Sequence, residues 1–390
     1  MSLRRGLGAV LVLLACAPAQ ALAAPPSGDP LLRYQWHLRA IGVPAAWTVS
    51  RGAGATVAVL DSGIAYEDRG PYRRAPDFSA TRFVAGFDFV DGDDHPDDVP
   101  PRGGRRSHGT QIASIIAATA GNGIRGAGVA PAAAIMPIRV LTPDLDGSAR
   151  ALARGLRFAA DHGADVANLS LAGRTDARIV RDAVAYALAH GVTVVAAAGN
   201  DGAARVGWPA AEPGVIAVGA TDGEGRRADY SNYGAALDLV APAGAGEGSD
   251  AGAGPSDGVL AESVKGGPAH FCSCFMASTS AAAAEVSGVA ALLIASGRAK
   301  TPAAVRAALR AGARDLGERG PDREYGAGLV QAPGAREAAR PSAAAPAPGP
   351  PSRPEPQQAS RSSALWWVIA AVAVALASCA LMLRARRRAT

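Results

Sequence analysis

The sequence predicts an α/β protein with a mostly parallel central sheet flanked by helices, and two patterns carry this prediction. Short, continuous apolar runs recur between residues 55 and 241, as expected of parallel strands that are buried on both faces. Between them lie longer stretches in which apolar residues recur at helical spacing. Alternation of the two patterns is typical of strand–helix units that build a parallel sheet.

Each element follows from its own stretch of sequence. The apolar runs predict strands over residues 55–60, 134–140, 165–173, 191–198, 215–220 and 237–241. Helical spacing predicts helices over residues 111–117, 148–162 and 176–190. Residues 30–50, which include Trp36 and Trp47, are predicted to form an entry segment that packs on the surface of the domain.

A further helix is predicted to begin at Thr279 and Ser280, which precede the small-residue run 281–293. Alanine and glycine on all faces let neighbouring elements approach closely, so this helix is expected in the centre of the domain. A serine in its first turn lies at the positive end of the helix dipole, where an oxyanion is favoured. The alternative is that the serine only caps a core helix.

Three other polar residues lie where a strand ends or a helix begins. Asp61 follows the first strand, at the edge where open α/β sheets hold their sites, or else it forms an ordinary turn. His108 precedes a helix and is a candidate general base, or else a surface or capping residue. Asn200 follows the strand 191–198, where its amide can donate to an oxyanion, unless it only forms a turn.

The segments around these residues resemble the motifs of the subtilisin-like serine proteases, the peptidase S8 family. The similar segments are VAVLDSG at 57–63, HGTQIA at 108–113, AAAGN at 196–200, and TS at 279–280 followed by VSGVAALL at 286–293. Aspartate, histidine and serine follow one another along the chain as they do in that family. The resemblance extends from about Trp36 to Val330 and implies a three-layer subtilisin-like fold.

The resemblance also implies a serine endopeptidase that cuts protein or peptide substrates through an acyl-enzyme. Ser280 would be the nucleophile, His108 its general base, and Asp61 the residue that orients the imidazole. Asn200 would donate to the oxyanion together with the Ser280 backbone N–H. Two segments are implied to pair with the substrate and line its pocket: Ser170, Leu171, Ala172 and Gly173, and Ala197, Ala198 and Gly199.

No cofactor is expected from the sequence. Calcium is common among members of the family the chain resembles, but no ligand set is identifiable here. The acidic loop 88–104 could bind a hard cation through oxygen ligands. Because it lacks a recognisable ligand spacing, it is interpreted as a solvated surface loop.

The chain departs from the family pattern next to its predicted nucleophile. Ser278 stands where the family usually has glycine, and Ala284 stands where it usually has proline. If the backbone at Ser278 requires a positive φ, the serine is strained and the nucleophile is displaced. Ser273, Ser278 and Ser287 are further hydroxyls nearby. The alternative function is therefore a catalytically inactive domain that binds or scaffolds proteins of the cell envelope.

Charge and apolar segments predict where the chain is located. The net charge of +5 comes largely from arginines at the two ends, so a nucleic-acid partner is not expected: Arg4, Arg5, Arg384, Arg386, Arg387 and Arg388. Residues 1–23 combine two arginines, an apolar stretch and a small-residue cleavage site, as in a secretory signal peptide. Cys16 lies in a segment that resembles a lipoprotein box, which leaves lipidation as an alternative.

The rest of the chain divides by composition. Residues 24–334 are predicted to form the catalytic domain, and residues 335–363, rich in Pro and Ala, an extended linker. Residues 364–383 carry no charge and are long enough to span a bilayer as a transmembrane helix. The basic tail 384–390 is expected in the cytoplasm. The chain is therefore predicted to be a single-pass protein of the cell membrane, with its catalytic domain on the extracytoplasmic side.

Two of the four cysteines, Cys272 and Cys274, fall in the predicted catalytic domain. A bridge between residues so close in sequence would be strained. Free thiols, a redox-sensitive bridge and metal contact all remain open for this pair.

Overall fold

Eight strands form one parallel sheet, which is the centre of the fold. The computed structural model describes residues 28–101, 103, 105–246 and 257–333. The strands are β1 (Thr56–Asp61), β2 (Arg82–Phe83), β3 (Phe87–Asp88), β4 (Ala134–Arg139), β5 (Val166–Leu169), β6 (Thr193–Ala197), β7 (Ile216–Thr221) and β8 (Leu239–Pro242). Their order is β2-β4-β1-β5-β6-β7-β8, with β3 also paired to β4. Every pair is parallel, as the continuous apolar runs predict.

Helices cover both faces of this sheet. They are α1 (Trp36–Ala40), α2 (Val43–Ala46), α3 (Gly109–Ala117), α4 (Ala149–Asp161), α5 (Arg178–Ala189), α6 (Thr279–Ala295) and α7 (Pro302–Gly312). Within β1, Val57 and Val59 pack in one core with α3 and α6, while Ala58 and Leu60 pack in a second core with α4 and α5. Because successive side chains of a strand point to opposite faces, this division confirms the predicted three-layer arrangement.

Helix α6 is buried along almost its whole length. The side chains from Thr279 to Leu293 are all buried, which confirms the prediction of a central helix made of small residues. Ser278, not Ser280, is the N-cap residue, and its side chain accepts a hydrogen bond from the backbone N–H of Ala281. Ser280 is therefore left free of the capping role.

The N-terminal segment is more deeply embedded than the predicted surface packing. His37 in α1 is fully buried, and its Nδ1 lies 2.9 Å from Oε1 of Glu285 in α6, which is also fully buried. Burial raises the pKa of Glu285, and the contact with His37 acts against that rise. The pair joins the start of the domain to its central helix.

An antiparallel hairpin precedes α6, and the sequence analysis did not predict it. It consists of β9 (Val259–Val264) and β10 (Phe271–Met276), in which Cys272 lies opposite Ser263. Its side chains include the buried carboxylate of Glu262, which accepts from the backbone N–H of Asp77 at 2.9 Å and lies 3.0 Å from Arg125 Nε. Both partners are distant from Glu262 in sequence. The local pattern therefore does not show that this charged residue lies in a buried strand.

The predicted terminal segments lie outside the residues that the structure describes. This applies to the signal peptide 1–23, the linker 335–363, the transmembrane segment 364–383 and the tail 384–390. Across residues 28–246 and 257–333, no helix has both the length and the apolar character needed to cross a membrane.

Candidate active site

A cleft of about 750 Å³ opens where β1, β5 and β6 end. These three strands are neighbours in a parallel sheet, so the residues that follow them meet at one edge. The N-termini of α3 and α6 reach the same edge. The cleft is lined by residues that include His108, Ser170, Leu171, Ala172, Asn200 and Ser280.

Asp61 and His108 form a hydrogen-bonded pair at this cleft. Asp61 Oδ1 lies 2.7 Å from His108 Nδ1 and also accepts from the backbone N–H of Ser62 at 2.8 Å. Asp61 is fully buried behind the imidazole, whereas the His108 side chain is 14% exposed. Burial acts to lower the pKa of His108, but the charge and hydrogen bond of Asp61 outweigh it and hold that pKa above its ordinary value.

Two glycines allow this pair to form. A Cβ on Gly109 would stand 2.0 Å from the Gly63 carbonyl oxygen, and a Cβ on Gly63 would stand 2.3 Å from the Asp97 carbonyl oxygen. Gly63 also has a φ of +105°, which is costly for residues with a side chain. The loop after β1 and the start of α3 therefore meet through backbone contact.

Asp98 lies directly behind the pair, and the sequence analysis missed it. Its Oδ1 accepts from Ser62 Oγ at 3.0 Å, and its Oδ2 accepts from the backbone N–H of Thr110 at 2.9 Å and from Thr110 Oγ1 at 2.5 Å. Ser62 Oγ in turn accepts from the Gly109 N–H at 2.9 Å. Burial, against these hydrogen bonds, raises the pKa of Asp98 to about 6.

The interpretation of the acidic loop as solvated is therefore wrong for part of it. Asp97 and Asp98 are 2% and 1% exposed, whereas Asp91, Asp93 and Asp94 are exposed as expected. Asp97 is paired with Arg69. Asp88, at the start of the loop, is also buried and is paired with Arg139. The partners of the buried carboxylates come from other parts of the chain, so charge density alone could not distinguish the buried positions of the loop from the exposed ones.

Ser280 occupies the first turn of α6, at the floor of the cleft. Its Oγ donates to the Ser170 carbonyl oxygen at 3.2 Å, and no hydrogen bond joins it to His108 in the described coordinates. The backbone N–H of Ser280 has no acceptor within the described part of the chain, as expected of a first-turn donor. Ser278 has a φ of −171° and ψ of 158°. This backbone is extended and open to any residue, so the expected strain is absent.

The neighbouring serines all have other partners. Ser273 Oγ accepts from Arg125 at 2.6 Å, and Ser278 caps α6. Ser287 is fully buried, and its Oγ donates to Asn168 Oδ1 at 2.9 Å. Ser278 and Ser280 both line the cleft together with His108, but the hydroxyl of Ser278 is engaged in capping α6.

Asn200 faces Ser280 from the end of β6. Its Oδ1 accepts from the backbone N–H and from Oγ1 of Thr279, both at 2.9 Å. The carboxamide is thereby oriented, and its Nδ2 has no acceptor among the residues described. Asn232 supports this loop, because its Oδ1 accepts from the backbone N–H groups of Asp201 and Ala203, at 3.1 and 2.9 Å.

The two predicted substrate-binding segments differ in what their backbones offer. Leu171 and Ala172 line the cleft, and their backbone groups make no hydrogen bonds within the described ranges. Gly173, Ala198 and Gly199 instead hydrogen-bond inside the protein, to partners that include Trp208, Val218 and Asn232. Gly199 nevertheless lines the cleft. The backbone groups of these three residues already have partners within the protein, and their substrate-binding role stays a prediction.

The other two residues of these segments act at the base of the cleft. Ala197 belongs to β6 and pairs with β7. Ser170 Oγ accepts from Asn168 Nδ2 and donates to the Ser280 carbonyl oxygen, both at 2.9 Å. A second cavity, of about 350 Å³, adjoins the cleft and shares Leu171 and Ala172 with it.

Charge is distributed unevenly around the cleft. Arg105, Arg106 and Lys265 stand on the wall next to His108, and on the opposite side Asp201 pairs with Arg174 at 3.0 Å. Among the side chains that the structure describes, no three His, Cys, Asp or Glu residues are grouped so as to hold a metal ion.

Comparison with known proteins places this arrangement in a family. A model of the Subtilase family, Peptidase_S8, matches residues 52–328. Thermitase from Thermoactinomyces vulgaris is 38% identical over 208 residues, which are 53% of this chain and 70% of thermitase. Subtilisin BL from Lederbergia lenta is 35% identical over 298 residues, 76% of this chain and 96% of the subtilisin.

A solved structure agrees with these matches. A protease from Pseudoalteromonas arctica superimposes with a TM-score of 0.68 at 31% sequence identity, covering 81% of this chain and 99% of that one. The chain therefore belongs to the subtilase family and is a subtilisin-like serine endopeptidase.

Proposed function

We propose that Ser280, His108 and Asp61 are the catalytic triad of this endopeptidase and that it acts outside the cell while anchored in the membrane. The observation that supports the triad most strongly is the 2.7 Å contact between His108 and a buried Asp61, at the cleft that also contains Ser280. Asp61 favours the tautomer in which Nδ1 carries the proton, which leaves Nε2 as the base.

The reaction begins when the Ser280 hydroxyl turns from the Ser170 carbonyl toward His108. His108 removes the hydroxyl proton as Oγ attacks the scissile carbonyl, and it then returns that proton to the leaving amine. Asp61 stabilises the imidazolium that forms between these two steps. Hydrogen bonds of this kind tighten once substrate is bound, so the resting orientation of Ser280 is compatible with the role.

The oxyanion is held by the two donors that lack acceptors in the described structure, the Ser280 backbone N–H and Asn200 Nδ2. Thr279 fixes the orientation of the Asn200 amide before the reaction starts. Donors that are already oriented toward the developing charge lower the barrier without a cost of reorganisation. The position of Ser280 at the positive end of a 17-residue helix acts in the same direction.

The substrate is an extended peptide segment that lies along Leu171 and Ala172. Their unpaired backbone groups offer main-chain hydrogen bonds, and the adjoining second cavity accepts an apolar side chain. Leu141, Leu152 and Val180 are among the residues that make this cavity apolar.

A fluorophosphonate probe tests the assignment of the nucleophile. The full chain is expected to be labelled once, and Ser280→Ala is expected to abolish both the labelling and the peptidase activity. Ser296→Ala is the matched control, because Ser296 caps the opposite end of the same helix. Undiminished labelling of Ser280→Ala would reject Ser280 as the nucleophile.

The membrane anchoring is supported by sequence alone. Residues 1–23 direct export, residues 364–383 span the bilayer, and residues 384–390 remain in the cytoplasm. The full chain should resist alkaline extraction from membranes, and an epitope tag after residue 390 should be protected from protease added outside intact cells. Digestion of that tag by the external protease would contradict the orientation.

A further inference from the structure

Two thiols lie side by side on β10, close to the active site. Cys272 and Cys274 are two residues apart in an extended strand, so their side chains point to the same face. Their Sγ atoms are 3.1 Å apart. Cys274 is buried, whereas Cys272 is partly exposed. The pair therefore consists of one thiol that a small reagent can reach and a second thiol behind it.

The surroundings make the two thiols chemically different. A hydrogen bond from Cys274 lowers the pKa of Cys272, and the cationic groups of Arg106, Lys265 and Arg125 act in the same direction. The same hydrogen bond, together with burial, raises the pKa of Cys274. A low-pKa, accessible thiolate is the nucleophile in thiol–disulfide exchange, so Cys272 is the attacking residue.

We propose that Cys272 and Cys274 form a redox-active dithiol that exchanges with low-molecular-weight disulfides and closes reversibly into a bridge. The Cys272 thiolate attacks one sulfur of the disulfide, forming a mixed disulfide and releasing one thiolate. That thiolate takes the Cys274 proton. Cys274 then attacks Cys272 Sγ and expels the second thiolate. The protein loses two electrons, and the incoming disulfide gains them, leaving as one thiol and one thiolate that takes its proton from water.

The strand geometry makes the closed bridge reducible. Two residues of extended strand span about 6.5 Å between Cα atoms, near the upper end of the range that disulfides tolerate. A bridge in such a frame is strained, and strained disulfides are reduced more readily than relaxed structural ones. The site is therefore suited to cycling between two states and not to permanent cross-linking.

The dithiol is linked to the cleft by a side-chain contact and by the chain that follows β10. Cys274 Sγ accepts from Gln111 Nε2 at 3.7 Å, and Gln111 lines the cleft from α3, one turn after His108. In addition, β10 ends two residues before Ser278, the cap of the helix that carries Ser280. Closing the bridge is expected to shift both Gln111 and Ser278. The oxidised enzyme should therefore have a lower kcat/KM, because an ångström-scale displacement in an active site can lower the rate up to about 10²-fold.

Oxidised glutathione and peptide mapping test the exchange itself. The full chain carrying Ser280→Ala, which prevents self-digestion, is treated with the reagent, alkylated and analysed by mass spectrometry, so that Cys16 and Cys379 are scored on separate peptides. The expected product is a bridge between Cys272 and Cys274 with no glutathione attached. Cys274→Ser should retain one glutathione on Cys272, and Cys272→Ser should react far more slowly. A stable adduct on the parent, or two thiols that stay alkylatable, would overturn the proposal.

A second measurement tests the link to catalysis in protein that retains Ser280. Oxidised glutathione should lower kcat/KM, and reduced glutathione should restore it. Cys272→Ser should not respond to either reagent, while Ser273→Ala, a control between the two cysteines, should respond like the parent. Unchanged kcat/KM in protein whose bridge has been verified by mass would overturn the coupling to the active site.

Discussion

Replacing Asp98 with asparagine tests whether the buried carboxylate behind His108 is kept at the expense of stability. The side chain is 1% exposed and accepts three hydrogen bonds, from Ser62 and Thr110. Asparagine has nearly the same shape, and its carbonyl oxygen can still accept both bonds from Thr110. The Ser62 hydroxyl can accept a bond from the new amide. The substitution therefore removes a negative charge and little else.

The magnitude follows from the pKa of Asp98, which burial raises from 3.8 to about 6. The pKa of Asp98 is higher in the folded protein than in the unfolded chain. The free energy of unfolding therefore falls as the pH rises from about 4 to about 6, because the folded protein must ionise a buried carboxyl group. A difference of about two between the pKa values corresponds to about 3 kcal/mol. Relative to the parent, the free energy of unfolding of Asp98→Asn should therefore rise by up to about 3 kcal/mol between pH 4 and neutral pH. A lost hydrogen bond would lower this free energy by about 1 kcal/mol at every pH and leave the rise unchanged.

Guanidinium unfolding of Ser280→Ala protein, with and without Asp98→Asn, measures this difference between pH 4 and pH 8. The gap in the free energy of unfolding should widen up to about pH 6 and then stay constant. Asp94→Asn, at an exposed position of the same loop, is the matched control for loss of a carboxylate, and its gap should change with pH far less than that of Asp98→Asn. A pH-independent gap for Asp98→Asn, or one that narrows as pH rises, would refute the reasoning.

The same substitution has a kinetic signature in the active enzyme. The charge of Asp98 contributes to holding the pKa of His108 above its ordinary value. The proposed mechanism requires neutral His108, so the acid limb of kcat/KM should move to lower pH in Asp98→Asn. An acid limb that stays in place, or moves to higher pH, would show that the charge does not act on the imidazole.

Three further predictions concern the site itself. Asp61→Asn should lower kcat about 10⁴-fold, the loss seen for this substitution in an unrelated triad protease, while circular dichroism stays native; a loss below tenfold would exclude the assigned role. Asn200→Ala should lower kcat about 10²–10³-fold, a range measured in a member of the same family. Thr279→Val removes one hydrogen bond that orients the Asn200 amide and should lower kcat much less. Equal losses in kcat would assign the effect to the structure of the loop. In Gly109→Ala the new Cβ would stand 2.0 Å from a carbonyl oxygen of the facing loop. The substitution should therefore lower the melting temperature and separate Asp61 from His108. An unchanged melting temperature and kcat would contradict the backbone contact.

The amino-acid sequence by itself determined the layers of the fold and the position of the site. Continuous apolar runs are required when a parallel strand is buried on both faces, so they are readable without coordinates. The sequence also placed Asp61 and Asn200 after buried parallel strands and Ser280 at the start of a helix of small residues. These features depend on local composition and on the rule that the carboxyl ends of parallel strands meet at one edge.

Tertiary structure alone decided which polar groups have partners. Asp98 and Asp94 lie in the same acidic loop, yet one is buried against Thr110 and the other is exposed. The burial of Glu262 likewise depends on Asp77 and Arg125, which lie far from it in sequence. Burial and hydrogen bonding are set by residues that are distant in sequence, so a local pattern carries no record of them.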